Sequence, residues 1–240
     1  MRLQLLIGGH MPRPETLPAT GYDTPNTHFC TIKDFVQLCE AINVKMGDGN
    51  DVVRVDDANG SFTNTIPTTI AGGDGNDSLS GGLGDETFRG GDGNDLIAGG
   101  KGADTGYLGG GDDSFRWDNG DGSDVMDGGT GNDLVNVNGA PGADDAFTIG
   151  AGAGGRLAFA RTLPAAFTLD VGTTESLTVN GNTGNDSFTV NSLAGVSDLN
   201  TVNLFGFDGN DTFNVHSEAN VAINVTGHLP RTAPGDALNF

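Results

Sequence analysis

The chain has 240 residues, with 11 lysines and arginines against 32 aspartates and glutamates, which gives a formal net charge of −21. So acidic a protein repels nucleic acid and anionic membranes, and its natural partner is a divalent cation. Only 35% of the residues are apolar and 41 are glycine, which fits a thin solenoid core better than an ordinary globule. Without cations, self-repulsion and glycine entropy would keep much of the chain expanded.

Residues 1–44 are predicted to form a lead-in and cap. The apolar run at residues 3–7 is too short for a signal peptide or a membrane span. Thr31 and Asp34 resemble a capping box, and apolar residues follow at helical spacing, which predicts a short amphipathic helix over 31–43. This helix would cover the N-terminal end of a solenoid, and an irregular strand of the first coil is the alternative interpretation.

A nine-residue unit repeats seven times between Gly72 and Asn136, with a two-residue insertion at Trp117–Asp118. Each copy starts with glycines that turn the chain tightly, continues with an acidic residue and ends in a short extended stretch. The copies are GGDGNDSLS (72–80), GGLGDETFR (81–89), GGDGNDLIA (90–98), GGKGADTGY (99–107), LGGGDDSFR (108–116), NGDGSDVMD (119–127) and GGTGNDLVN (128–136). Strands this short cannot bury a face alone, so the turns must stack. The residues predicted to point inward are Leu79, Phe88, Ile97, Phe115, Met126 and Val135.

Stacking would also bring the aspartates of equivalent turns together in columns. One column contains Asp77, Asp95, Asp113 and Asp133, and the other contains Asp104 and Asp124. Carboxylates in a column repel one another unless a cation lies between them. Calcium suits this arrangement, because it takes roughly six to eight oxygen ligands and accepts both carboxylate and main-chain carbonyl oxygens.

The repeat resembles the RTX (hemolysin-type) nonapeptide G-G-x-G-x-D-x-U-x, where U is a large apolar residue. The resemblance implies a calcium-loaded parallel β-roll with two nonapeptides per coil, and ions between copies n and n+2, or roughly five ions in this block. Three features depart from the pattern. Glu86 replaces an aspartate, Gly106 replaces the apolar residue, and the Trp117–Asp118 insertion is expected to interrupt the stacking. The sites on the second side are therefore the less secure ones.

Longer coils are predicted on both sides of this block. The same turn recurs at Gly49 and Gly75, and again at Gly184 and Gly209, which predicts coils of about 25 residues. The interval from Gly131 to Gly184 fits two such coils. The predicted fold is therefore all-β, a parallel β-roll and β-helix solenoid with the short N-terminal capping helix. Its predicted regions are the lead-in and cap (1–44), the calcium β-roll (45–137) and a longer-coil parallel β-helix (138–240).

Strands are predicted in the second half where apolar and polar residues alternate. They are residues 146–149, 157–160, 167–171, 177–179, 188–190, 202–205, 213–215 and 221–225. Asparagines recur beside these strands and would either stack as ladders or lie in solvent. They are Asn136, Asn138, Asn180, Asn191, Asn203, Asn214 and Asn224.

The candidate calcium ligands are carboxylates and the glycines whose main-chain oxygens accompany them. The carboxylates are Asp51, Asp77, Glu86, Asp95, Asp104, Asp113, Asp124, Asp133, Asp186 and Asp211. The glycines are Gly73, Gly75, Gly82, Gly84, Gly91, Gly93, Gly100, Gly102, Gly109, Gly111, Gly120, Gly122, Gly129 and Gly131. For Asp51, Asp186 and Asp211, which belong to isolated turns, calcium binding stays open at this point.

No catalytic constellation is recognisable in the sequence. Gly150, Gly152 and Gly155 form a G-x-G-x-x-G pattern, but a strand-like stretch and Pro164 follow instead of a dinucleotide-binding helix. The chain is therefore predicted to be no enzyme. It is expected to be a calcium-binding structural module of a secreted or cell-surface protein that folds on binding calcium and serves adhesion, matrix or fibre assembly. Self-association would occur through the solenoid ends, and nucleic acid binding and membrane insertion are not expected.

The alternative is an accessory calcium-binding part of a secreted polysaccharide-acting enzyme or protease. RTX-like proteins are typically exported through a dedicated channel by a C-terminal signal, so the resemblance implies an extracellular or cell-surface location without an N-terminal signal. Disordered low-complexity sequence is the structural alternative for the repeat block, but a flexible linker does not require an apolar residue in phase.

Overall fold

The protein is a two-sheet solenoid. The computed structural model describes residues 41–55, 66–227 and 235–240, and residues 31–40 of the predicted helix lie outside these ranges. Nineteen β-strands and one 3-10 turn, Ala153–Gly155, occur within the described ranges. The chain crosses from one sheet to the other at almost every turn. The predicted all-β solenoid is therefore confirmed.

The described residues of the first sheet form eleven strands. They are β1 (Ile42–Lys45), β3 (Thr68–Asp74), β5 (Glu86–Asp92), β7 (Thr105–Gly110), β9 (Asp124–Thr130), β11 (Ala146–Ala151), β12 (Leu157–Leu163), β13 (Phe167–Gly172), β15 (Ser187–Val190), β17 (Thr212–Val215) and β19 (Ala237–Asn239). The described residues of the second sheet form eight. They are β2 (Val52–Arg54), β4 (Ser78–Ser80), β6 (Leu96–Ala98), β8 (Ser114–Trp117), β10 (Leu134–Asn138), β14 (Ser176–Asn180), β16 (Thr201–Phe207) and β18 (Ala222–Gly227).

Parallel pairing fixes the coil length. In the repeat block Ser78 pairs with Leu96, so one coil has 18 residues, which is two nonapeptides. The first described coil is longer, since Val52 pairs with Ser78, and the later coils add 25 residues, as between Thr212 and Ala237. Both predicted periods are therefore present. They coexist in one solenoid because the extra residues lie in the turns and leave the strand register unchanged.

The core is formed by columns of apolar side chains that point inward from the two sheets, and later strands bury two such residues each, as Val202 and Leu204 of β16 do. In the second sheet Leu79, Ile97, Phe115 and Val135 are paired across neighbouring strands, and each is at most 1% exposed. All six residues predicted to point inward are buried. The glycine at the apolar position of the fourth copy leaves a space that Met126 fills, because a Cβ on Gly106 would lie 2.3 Å from the Met126 sulfur.

One segment departs from parallel winding. In the first sheet the order is β9-β13-β12-β11-β15, and β12 is antiparallel to both β11 and β13. The G-x-G-x-x-G stretch is the turn of the β11–β12 hairpin, where Gly154 and Gly155 have φ of 69° and 82°. We call β11–β13, residues 146–172, the meander. Because the second sheet passes directly from β10 to β14, the first sheet gains two strands here.

Because of the meander, the prediction that the interval from Gly131 to Gly184 contains two coils is wrong. Gly131 and Gly184 do not belong to equivalent turns two coils apart. Gly131 precedes a strand of the second sheet, and Gly184 precedes a strand of the first sheet. Between them lie one coil that is enlarged by two strands, from Leu134 to its partner Ser176, and the further strand β14. All eight predicted strands of this half coincide with observed strands, with Val221 in a bridge just before β18.

Two further observations concern the predicted helix and the predicted region boundaries. The helix prediction is wrong at Ile42, which starts β1 because it pairs with Thr68 in the first sheet. At residue 138 the second sheet is continuous, since β10 pairs with both β8 and β14. The division into regions 1–44, 45–137 and 138–240 concerns folding units and stays a prediction. In the described part of the chain no helix has the length and apolarity to span a membrane.

Candidate metal centre

The turns that lead into the second sheet carry a continuous row of acidic residues, which we call the first column. Its members are Asp51, Asp77, Asp95, Asp113, Asp133 and Glu175. The main-chain N–H of each member donates a hydrogen bond of 2.7–2.9 Å to a carboxylate oxygen of the next. The predicted order of stacking is therefore observed, and Asp51 and Glu175 extend it at its two ends.

The turns that lead into the first sheet carry two further rows, separated by the meander. The second column contains Glu86, Asp104 and Asp124. The third column contains Asp145, Asp186, Asp211 and Asp236. The same N–H to carboxylate bond links successive members over 2.7–3.0 Å. Each acidic residue thus fixes its neighbour's carboxylate with its own main chain, in the short coils and in the long ones alike.

A second ladder runs outside the first column in the opposite direction. The main-chain N–H of Asn94 donates to Asn76 Oδ1, that of Asp112 to Asn94 Oδ1, and that of Asn132 to Asp112 Oδ1. Each turn is therefore tied to the previous coil by its outer residue and to the next coil by its inner carboxylate. The asparagine ladders predicted in the second half also form in part, with Asn180 bonded to Asn136 and Asn138.

Most carboxylates of the three columns are buried, and in eight of them one of the two oxygens accepts no hydrogen bond. Across the described residues this holds for one oxygen, Oδ2, of Asp77, Asp95, Asp104, Asp113, Asp124, Asp133, Asp186 and Asp211. These eight side chains are at most 3% exposed. A buried carboxylate oxygen without a donor is costly, and buried charges in proteins are normally paired or bound to metals. The recurrence of the same atom in eight turns indicates that these carboxylates suit a common electropositive partner.

Burial raises the pKa of the carboxyl groups of Asp95, Asp104, Asp113, Asp124, Asp133, Asp186 and Asp211. Desolvation is the main cause and the neighbouring carboxylates add to it, while the hydrogen bond from the preceding main-chain N–H acts in the opposite direction. The pKa rises to about 6 for Asp95 and Asp133, about 7 for Asp124 and Asp186, and about 8 for Asp104. Near neutral pH these groups therefore need either a proton or a cation.

At four of the donorless oxygens, those of Asp77, Asp95, Asp133 and Asp186, a main-chain carbonyl oxygen of the next coil approaches the same side of the first glycine of the repeat. A Cβ built on Gly90 would lie 2.3 Å from Asp95 Oδ2 and 2.2 Å from the carbonyl oxygen of Leu108 in the next coil. A Cβ on Gly128 would lie 2.4 Å from Asp133 Oδ2 and 2.2 Å from the Thr173 carbonyl oxygen. Carboxylate and main-chain carbonyl oxygens are the ligands that calcium takes, so the residues present fit this ion.

The predicted ligand glycines lie in the same gaps. Most of them have positive φ, and at several a Cβ would collide with a glycine carbonyl oxygen of the preceding coil, as at Gly91, where it would lie 1.8 Å from Gly73 O. Within the described ranges no three His, Cys, Asp or Glu side chains are arranged to hold a metal ion. A cation between two turns would therefore need main-chain oxygens as well as carboxylates. Ligation by any of these residues stays a prediction.

One expectation about the block is wrong. The Trp117–Asp118 insertion does not interrupt the stacking, because the hydrogen bonds from Asp104 to Asp124 and from Asp113 to Asp133 cross it. The coil simply lengthens to 20 residues, and Trp117 turns into the core with no exposed surface. The indole N–H donates to Gly122 O over 2.7 Å, which fixes the enlarged turn.

Three column members were missed from sequence. Asp145 and Asp236 follow glycine-containing turns, GAD and PGD, so the shortened turn pattern could have identified them. Glu175 follows Thr173 and Thr174 with no turn glycine, and its longer side chain reaches the Asp133 N–H from a different backbone position. No local signal in the sequence identifies Glu175.

The comparisons with known proteins agree with this geometry. Residues 68–97, 80–115 and 118–145 match the family described as RTX calcium-binding nonapeptide repeat (4 copies). This stretch carries RTX repeats. The match ends at residue 145, so the later turns of the third column lie outside it. RTX repeats are calcium-binding motifs, and the parallel strands of this region form the β-roll that they imply.

Residues 1–69 match a second family, described as Methionine biosynthesis protein MetW. Most of this range lies outside the described residues, and the described parts of it form β1, β2 and the start of β3 in the solenoid. No curated protein and no solved structure matches the chain.

Proposed function

We propose that this chain is a calcium-binding structural module that folds when it binds calcium. The observation that carries the proposal is the set of eight buried aspartate Oδ2 atoms without donors, four of which, in Asp77, Asp95, Asp133 and Asp186, lie close to a main-chain carbonyl oxygen of the next coil. A divalent cation in each gap would satisfy both carboxylates that border it and would bind the carbonyl oxygen. Ligands from two successive coils would hold the coils together.

Calcium would act as a folding switch because the apo columns are unfavourable. The net charge of −21 and the 41 glycines favour the expanded chain, while the thin core offers little apolar burial in return. Since the gaps exist only when coils stack, the free energy of ion binding is free energy of folding. The module would stay expanded where calcium is scarce and fold where it is abundant.

We infer a location outside the cell, on a surface or in a matrix, from this calcium requirement. The role is structural, in adhesion, matrix or fibre assembly, and the described residues provide no arrangement that supports catalysis. The MetW match is restricted to residues 1–69, whose described strands belong to the solenoid, so we base no enzymatic activity on it.

Self-association would use the two ends of the solenoid. Val52 is 77% exposed in the first described strand of the second sheet, and Phe240 is 91% exposed after the last strand of the first sheet. Open strand edges with apolar neighbours favour pairing with another chain. Sedimentation velocity at increasing protein concentration would show growing species for the wild type and a monomer for a Val52→Lys variant. A wild-type monomer at all concentrations would exclude this assembly.

A calcium titration followed by far-UV circular dichroism tests the proposed function, with magnesium as the control ion. We expect a cooperative transition from coil to β-structure with calcium and none with magnesium. The double variant Asp95→Asn/Asp113→Asn should need much more calcium, because it removes two column charges without changing side-chain size. Asp92→Asn is the matched control, since Asp92 is exposed and precedes Asp95 in the same turn. A β-rich spectrum in chelator that calcium does not change would contradict the proposal.

A further inference from the structure

The gap between the second and third columns contains an arginine. The Arg161 side chain is 2% exposed, and its Nη1 donates to Asn119 Oδ1 at 2.9 Å and to Asp145 Oδ1 at 3.2 Å. Asn119 stands at the first-glycine position of the last turn of the second column, and Asp145 begins the third column. The guanidinium therefore connects two rows of acidic turns that the meander has separated.

Asp145 differs from the other buried aspartates in its hydrogen bonds. In those, Oδ1 accepts the N–H of the preceding turn and Oδ2 has no donor. In Asp145, Oδ2 accepts the N–H of Ala140 at 2.7 Å, and Oδ1 accepts Nη1 of Arg161. Both oxygens are thus satisfied by the chain itself. At this gap the protein itself provides a positive charge, the Arg161 guanidinium, whereas no such group reaches the donorless oxygens of the other gaps in the described residues.

The surroundings hold the guanidinium in place. Its central carbon lies 5.0 Å from the centre of the Trp117 ring and 4.9 Å from that of Phe167, and these two rings are stacked with centroids 3.6 Å apart. The Nε atom donates to Ala165 O over 2.9 Å. Planar guanidinium groups favour stacking on aromatic faces and are less strongly hydrated than ammonium groups, so arginine suits this buried position better than lysine.

A second arginine of the meander neutralises acidic residues at the same junction. Arg156 forms ion pairs with Asp127 of β9 and Asp170 of β13, and its Nη2 donates to the Met126 carbonyl oxygen. These contacts tie β13 to β9, the last strand that the repeat block contributes to the first sheet. Both cationic residues of the meander are thus engaged with carboxylates, whereas no lysine or arginine bonds to the donorless oxygens of the columns in the described residues.

We infer that the Arg161 guanidinium takes the place of a bound cation at this junction, so that the structure around Trp117 and Phe167 forms without calcium. The columns on either side would then be two calcium-dependent blocks that grow from a permanently folded centre. The contrast between calcium-dependent and calcium-independent parts rests on the proposed function, whereas the role of Arg161 as the cation of this gap does not.

Trp117 is the only tryptophan in the sequence, so its fluorescence reports on this junction alone. The full-length protein is measured in chelator and in saturating calcium, with far-UV circular dichroism on the same samples. We expect the dichroism to change with calcium while the Trp117 emission maximum stays at the wavelength of a buried indole. An emission maximum that moves to that of exposed tryptophan in chelator would overturn the inference and leave the proposed function intact.

Variants of Arg161 test its role as a cation whether or not the columns require calcium. Arg161→Met keeps an unbranched apolar side chain and removes the charge, and we expect its Trp117 emission to shift to the red in chelator and to return with calcium. Arg89→Met is the matched control, because Arg89 stacks on Tyr107 at 5.0 Å but is exposed and far from Asp145. The control should behave as the wild type. An unshifted Arg161→Met spectrum in chelator would contradict the inference.

The double variant Arg161→Met/Asp145→Asn covers the case in which Arg161→Met fails to fold even in calcium. If Arg161 serves to neutralise Asp145, removing both charges should restore the buried Trp117 emission in chelator. If the double variant is as red-shifted as Arg161→Met, packing of the guanidinium rather than its charge holds the junction, and the inference is wrong. Calcium-independent dichroism would count against the proposed function only, since this comparison does not depend on it.

Discussion

The main-chain N–H of Asp95 donates a 2.7 Å hydrogen bond to Oδ1 of Asp113 one coil later, while Oδ2 of Asp113 has no donor. The backbone thus fixes the position of each carboxylate through one oxygen and leaves the other oxygen for an additional partner. The hydrogen bonds that stack the coils need no ion. The carboxylates that become buried in the stacked coils do need one, because of their charge. This division explains how a preorganised site and a strong ion requirement occur in the same turn.

Acidification should replace calcium in part. The pKa values of Asp104, Asp124 and Asp186 are raised to about 8, 7 and 7 in the folded state, mainly by desolvation, from an ordinary value of 3.8. The folded apo protein therefore binds more protons than the unfolded chain, and its stability falls as the pH rises from about 4 through these folded-state values. We predict more β-structure in metal-free solution at pH 5 than at pH 8.

Far-UV circular dichroism of metal-free protein at several pH values checks this prediction. The range should stay above pH 5, because precipitation is expected near the isoelectric point of about 4.1. In saturating calcium the same pH series should change little above pH 6, since bound ions keep the carboxylates ionised. A loss of β-structure between pH 8 and pH 5 in metal-free buffer would contradict the sign of the effect.

A side chain in place of a first glycine should weaken calcium binding. A Cβ at Gly90 would lie 2.2 Å from Leu108 O and 2.3 Å from Asp95 Oδ2, so Gly90→Ala displaces the oxygens that border the gap. We predict a loss of stability of about 1–3 kcal/mol, typical of an overpacked site, and a lower ion count in calorimetric titration. Gly47→Ala is the control, because a Cβ there meets nothing within 4 Å. Equal ion counts in the two variants would refute the prediction.

Sequence alone predicts the repeat block well because its signals are local. Each turn carries its own glycines, its acidic residue and its apolar residue, so the coil, the inward-facing side chains and the order of Asp77, Asp95, Asp113 and Asp133 all follow from the period. The insertion after Arg116 was expected to break this order. It does not, because an enlarged turn leaves the register of the following strand unchanged.

The junction could not be predicted in the same way. The reversed strand order of the meander depends on pairing between residues far apart, and its alternating pattern is the same for parallel and antiparallel strands. Arg161 shares the inward face of β12 with Leu157 and Phe159, and only the distant residues Trp117 and Asp145 explain why a charged side chain is buried there. Glu175 likewise joins the first column only because the meander places its turn next to Asp133.

Met126 compensates for Gly106, which stands where the repeat pattern has a large apolar residue. The Met126 side chain is 1% exposed and occupies the space that an apolar residue at position 106 would fill. Met126→Ala should therefore destabilise the calcium-bound protein by about 2–5 kcal/mol, because it leaves a cavity, whereas Met126→Leu should cost less than about 1.5 kcal/mol. Chemical denaturation in saturating calcium measures both. Equal midpoints for the Ala variant and the wild type would show that the space is not closed by Met126.

Glu175 is the last member of the first column, and we expect both its charge and its hydrogen bond to contribute to folding. Its Oε2 accepts the main-chain N–H of Asp133 at 2.8 Å, and its charge helps to raise the pKa of Asp133 to about 6. Glu175→Gln keeps an acceptor and removes the charge, so we predict little change in stability in saturating calcium and a higher calcium midpoint of folding, as for the column aspartates. Glu175→Ala also removes the acceptor and should cost about 1 kcal/mol more.

Comparing the two Glu175 variants by denaturation in calcium, and by the calcium midpoint of folding, separates these contributions. If Glu175 is only a surface residue, the two variants and the wild type will have the same denaturation midpoint, and the hydrogen bond to Asp133 then contributes nothing measurable. If the Gln variant needs more calcium than the wild type, the carboxylate of Glu175 takes part in holding the ion, and the first column continues into the coil that carries the meander.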